Sequence, residues 1–143
     1  MQKVSLLGVL LAIGVTLAAC MPAPTLPRPA SQAASATRTA VIRITADQLA
    51  ELLAGSKDFV LVNVHIPFEG DLPKTDLAIP YDQIDGYLGQ LLGKDAKIVL
   101  YCRSGRMSDI AARRLAELGY KRIYDLTGGM LAWEASGRPL AGR

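Results

Sequence analysis

The chain has 143 residues, half of them hydrophobic, and carries 16 lysines and arginines against 13 acidic residues, a net charge of +3. One histidine and two cysteines exclude a multi-bridge disulfide scaffold and leave too few soft ligands for a metal site. So small a positive excess, with no basic stripe and no interleaved aromatics, excludes nucleic acid as the expected partner.

Residues 1–19 read as an export signal. Lys3 supplies a minimal positive start, and residues 4–17 carry no charge, a run shorter than the ~20 apolar residues that a membrane-spanning helix needs. The segment ends in Leu17-Ala18-Ala19-Cys20, which resembles the lipobox of bacterial lipoproteins. That resemblance implies cleavage before Cys20, lipid on its thiol and new amino group, and an exported chain anchored to a bacterial envelope membrane. Ordinary cleavage after the small residues, leaving Cys20 as a stray thiol, is the alternative. Residues 20–40 hold four of the eight prolines among Ala, Ser and Thr. Such a stretch buries too little apolar surface to fold and is expected to be an extended tether. Residues 41–143 suffice for one domain with one core and not for two.

Within that domain, residues 41–44 predict a short strand. Thr45 and Gln48 then form a capping box for a helix through Leu49, Leu52 and Leu53 that stops at Gly55. The apolar run 59–64 predicts a strand covered on both faces. Residues 65–80 contain three prolines and several acids, and read as turns. Residues 81–92 predict one helix or two short turns, weakened by Gly86 and Gly89. Residues 97–101 are a second buried strand leading straight to Cys102. Beyond it, Met107, Ile110, Ala111, Leu115 and Leu118 are placed on one helical face and Arg113, Glu117 and Lys121 on the other, with Gly119 as the stop. A strand at 123–126 and a helix at 128–136 carrying Trp133 complete the chain. Strands alternating with helices give an α/β fold with a mostly parallel sheet.

Cys102 is where chemistry is expected. With Cys20 lipidated it has no intramolecular partner. It stands at the carboxyl end of a strand, the side on which open α/β sheets bind ligands. The turn after it contains Gly105, so backbone N–H groups can point at one spot, and the next helix adds its own unpaired N–H groups and dipole. Arg103 and Arg106 add charge. Together these stabilise a thiolate, an incoming anion or a persulfide anion. The plain alternative is a small buried residue at a strand end; two flanking arginines argue against it.

Tyr101-Cys102-Arg103-Ser104-Gly105-Arg106-Met107-Ser108 resembles the active-site loop of rhodanese-domain sulfurtransferases. Leu126-Thr127-Gly128-Gly129-Met130-Leu131-Ala132-Trp133 resembles that family's Gly-Gly-Met-x-x-Trp signature. The resemblance implies a rhodanese-like, five-stranded and mostly parallel sheet with helices on both faces. It also implies a cysteine that takes sulfane sulfur as a persulfide and passes it on. By position Cys102 is the nucleophile, and Arg103, Ser104, Gly105, Arg106 and Met107 hold the substrate. The implied partners are a small anionic donor (thiosulfate, polysulfide or persulfide) and a thiol or cyanide-like acceptor, with no cofactor and the protein as a monomer.

Three departures stand out. Asn63-Val64-His65 replaces the frequent Asp-Val-Arg, residues 71–80 replace a Gly-His-Ile-Pro-Gly-Ala segment, and Met107 stands where many members have arginine. The last leaves Arg106 as the substrate cation. His65 is a candidate proton donor or a hydrogen-bonded loop residue, and Glu69, Asp71 and Asp76 form a solvated loop or an acceptor-docking patch. Trp133 reads as packing. Two other functions are open. One is a non-catalytic persulfide carrier or docking module. The other is a cysteine phosphatase or arsenate reductase, for which an arginine would be needed where Ser108 stands.

Overall fold

The structure is a computed structural model that describes residues 39–142. The expected export signal, Cys20 and all but the end of the tether lie outside the described residues. In chain order the elements are β1 (Ile42–Ile44), α1 (Ala46–Ala54), β2 (Val60–Asn63), β3 (Leu77–Ala78), a 3-10 helix (Ile84–Gln90), β4 (Lys97–Tyr101), α2 (Arg106–Glu117), β5 (Arg122–Leu126) and α3 (Gly129–Ala135). The strands form one five-stranded sheet, ordered β1-β5-β4-β2-β3, and every pairing is parallel. No helix among the described residues is long and apolar enough to cross a membrane.

The central strands β2 and β4 are apolar almost throughout because both their faces are covered. Alternation along each strand divides the interior in two. Val60, Val62, Val64, Ile98 and Leu100 pack with Ala111, Ala112 and Leu115 of α2 and Ile84 of the 3-10 helix. Leu61, Val99 and Tyr101 face Leu49 and Leu53 of α1, and Met130 and Trp133 of α3. The capping box is present: Gln48 N–H donates to Thr45 Oγ1 at 3.2 Å, and Thr45 N–H to Gln48 Oε1 at 2.9 Å.

Three details differ from the sequence reading. The turn-rich stretch contains a two-residue strand, β3, too short to show a pattern and held by pairing with Val62 and Asn63. The stretch with Gly86 and Gly89 settles as a 3-10 helix. The inner face of α2 is Ser108, Ala111, Ala112 and Leu115, whereas Ile110 is 46% exposed. Four of the five expected residues pack on the core, Ala111 and Leu115 buried and Met107 and Leu118 partly so; only Ile110 turns outward, and Ser108 and Ala112 join the inner face.

The loop between β2 and β3 is pinned by buried polar groups. The Tyr101 hydroxyl accepts from Leu72 N–H at 3.0 Å, lies 2.7 Å from Thr75 Oγ1, and donates to Asp71 Oδ1 at 3.0 Å. Burial pushes this phenol well above the usual tyrosine range, so it stays a donor. Asn63 Nδ2 donates to Gly70 O at 3.0 Å and to Asp71 Oδ1 at 2.9 Å, and its Oδ1 accepts from His65 N–H at 2.9 Å. An amide can serve three partners here where a carboxylate could only accept.

Candidate active site

From β2 the chain leaves toward β3, and from β4 toward β5, so the carboxyl ends of these neighbouring strands part at a topological switch point. Cys102 is the first residue beyond β4 and is 1% exposed. Gly105 has φ +93°, a conformation that glycine takes at little cost. That turn aims its N–H at Cys102 Sγ, 3.1 Å away, and starts α2. Ser108 lies within the first turn of α2, its hydroxyl 3.6 Å from the same sulfur and 3.2 Å from Gly105 O. The first N–H groups of α2 have no intrahelical acceptor, and the helix dipole adds partial positive charge at the sulfur.

The loop is gripped from its other side by α3. Met130 N–H donates to Cys102 O at 2.9 Å and Leu131 N–H to Arg103 O at 3.0 Å. Contact this close requires Gly129, where a Cβ would lie 2.1 Å from Cys102 O, and its φ of +57° also disfavours a side chain. The glycine pair therefore does more than turn the chain: it lets α3 hold the loop carbonyls while Gly105 N–H serves the sulfur.

The substrate-loop residues have different surroundings. Arg103 is exposed and ion-pairs with Glu69 Oε2. That guanidinium holds the Glu69 carboxyl below the usual carboxylate range. His65 Nε2 is 3.3 Å from the same oxygen, without hydrogen-bond geometry, and its side chain is 8% exposed. Ser104 is exposed. Arg106, the first residue of α2, is exposed and forms no ion pair among the described residues. Met107 is half-buried and packs on the core that contains Cys102. The loop thus brings together a sulfur, a backbone donor and a hydroxyl, with the exposed Arg106 opening the helix that follows. Ser108 was not recognised as a sulfur partner from sequence. The signal was there in its spacing from Ala111, Ala112 and Leu115, which puts it on the inner face. Being serine and buried, it also offers no guanidinium for phosphoryl oxygens, which counts against a Cys-x5-Arg phosphatase.

A family profile described as a rhodanese-like domain matches residues 60–136, a span that includes both the Cys102 loop and the Gly128-Gly129 turn. The chain belongs to the rhodanese-like domain family. A sulfurtransferase from Allochromatium vinosum is 35% identical over 103 residues, covering 70% of this chain and 94% of its own length. A thiosulfate sulfurtransferase of Coxiella burnetii is 38% identical over 42 residues, 29% of this chain and 39% of its own. The crystal structure of a rhodanese-related protein from Thermoplasma volcanium superposes with a TM-score of 0.59 at 28% identity, covering 69% of this chain and 96% of that one. Within this rhodanese-like domain, the Cys102 loop and the glycine pair are the two sequence signatures, and the structure shows why they occur together.

Proposed function

We propose that this rhodanese-like domain is a sulfurtransferase that moves sulfane sulfur through a persulfide on Cys102. The observation that carries this reading is the Cys102 sulfur held by Gly105 N–H and faced by Ser108 at the start of α2. With thiosulfate as donor, the Cys102 thiolate attacks the outer sulfur. A new S–S bond forms, the bond to the sulfonate sulfur breaks, and sulfite leaves with the electron pair. A thiolate or cyanide acceptor then attacks the terminal sulfur of Cys102–S–S⁻, and the Cys102 thiolate is the leaving group. No outside oxidant or reductant is needed, and ping-pong kinetics follow. The near-complete burial of Cys102 suits a small or slender donor. We further propose that the chain is exported, lipidated at Cys20, and works as an envelope-anchored monomer.

The test is intact mass after incubating the purified chain with thiosulfate. One added sulfur is expected in the wild type and none in Cys102→Ser, with discharge by cyanide or a small thiol. Failure of thiosulfate, polysulfide and glutathione persulfide alike to load Cys102 would sink the proposal. Loading without acceptor-dependent release would make the domain a carrier. For the anchor, cells fed an alkyne fatty acid should label the wild type and not Cys20→Ala.

A further inference from the structure

Asn63, Ser108 and Asp125 are polar residues buried almost completely in the interior. Asn63 is accounted for by the β2–β3 loop. Asp125 has no part in the chemistry above, yet its side chain is fully enclosed. It lies on β5, two residues after Ile123 and so on the same face, the one that α2 covers. Its Oδ2 accepts from Arg43 Nη1 of β1 at 2.9 Å, while Oδ1 is buried with no hydrogen-bond partner. Ser108 is on the inner face of α2, the helix that covers this face of the sheet, and its hydroxyl is 3.2 Å from Gly105 O and 3.6 Å from Cys102 Sγ.

We infer that Asp125 is a positioning residue that sets, through the Ser108 hydroxyl, whether the Cys102 sulfur receives a second hydrogen bond. Ser108 has one proton to donate. When Asp125 is protonated, its O–H donates to Ser108 Oγ and leaves the hydroxyl proton to be shared between Gly105 O and the sulfur. When Asp125 loses its proton to solvent, the hydroxyl turns to Oδ1 and the sulfur keeps only Gly105 N–H. The O–H bond of Asp125 is the only covalent bond made or broken.

The charged groups facing Asp125 define its balance. Arg43 from β1 favours the carboxylate, whereas Asp109 from α2 opposes it while itself pairing with Arg43 and Arg113. From β4 and its loop the facing groups are apolar apart from Cys102. Burial dominates, so Asp125 keeps its proton to higher pH than an ordinary aspartate. A thiolate or persulfide anion on Cys102 adds like charge and favours the protonated form further. The second hydrogen bond is therefore present on the acid side and withdrawn as pH rises. This inference rests on Cys102 being the working nucleophile, and it deepens the proposed function by adding regulation of the same sulfur.

The experiment is the rate of Cys102 alkylation by iodoacetamide across pH, using the full chain, with Asp125→Asn and Ser108→Ala beside the wild type. The wild-type profile should carry a second inflection besides that of the thiol. Asp125→Asn should lose it, since an amide donates to Ser108 at every pH, and Ser108→Ala should lose it because the link to sulfur is gone. Profiles of the same shape in all three proteins would overturn the inference, as would survival of the second inflection in Ser108→Ala. If Asp125→Asn does not fold, Ser108→Ala alone decides. Alkylation needs no sulfur donor, so this outcome is read separately from whether the domain transfers sulfur.

Discussion

Arg103 and Arg106 sit on either side of Gly105, yet one is committed to Glu69 and the other forms no ion pair among the described residues. The free guanidinium should bear most of the donor's charge. Charge-assisted hydrogen bonds are worth about 1.5–3 kcal/mol, so Arg106→Gln should raise KM for thiosulfate about tenfold or more, with a smaller effect on kcat. Arg103→Gln should change KM less than about threefold, since an exposed pair adds little. Adding Glu69→Gln to Arg106→Gln should recover part of the lost affinity by releasing Arg103. Steady-state kinetics of the four proteins checks this. Because Arg103 depresses the Glu69 carboxyl, their pair holds above and through the usual glutamate range and is lost only as pH falls below it. At this scale the candidate nucleophile could be singled out because the groups facing Cys102 Sγ, Gly105 N–H and Ser108, follow it closely in sequence. Asp125 could not, since its meaning depends on Arg43 and Ser108, which only the folded sheet brings near it.

Among the elements, the α3 start and the Cys102 loop are held as one unit. Gly129→Ala forces a left-handed alanine, about 1–2 kcal/mol, and drives a methyl into the Cys102 carbonyl, for a total of about 2–4 kcal/mol. Urea denaturation should show that loss, and sulfur loading should fall with it as the loop is pushed off α3. Tyr101→Phe tests the other support. It strips a hydroxyl from Asp71, Thr75 and Leu72 N–H in a buried setting, and should cost about 1–3 kcal/mol by the same assay. The strand at 97–101 could be read to the residue because Lys97 leads into an unbroken apolar run, 98–101, that ends at a cysteine. β3 could not, because two residues carry no periodicity and its place is set by Val62 and Asn63. The face of α2 follows from its periodicity except at Ile110, apolar and exposed, and Ser108, polar and buried, where residue type and burial disagree.

For the molecule as a whole, every described strand and helix lies within residues 42–135. A chain trimmed to residues 39–143 keeps every one of these elements and should unfold in a single urea transition and load sulfur. Trimming to residues 46–143 should lower the midpoint clearly. It removes β1 from the edge of β5 and with it Arg43, leaving the buried Asp125 without its cation. The α/β class followed from alternating elements, and the candidate site from a cysteine at a strand's end. The order of strands did not follow, because it depends on which hydrophobic faces meet in space.

That all strands run parallel has one more consequence. The backbone comes into the sheet at Ile42, the amino end of β1, while Cys102 follows the carboxyl end of β4. The handle and the mouth of the domain are at opposite poles. Coupled to a bead through residue 39, the protein should turn over as fast as it does in free solution.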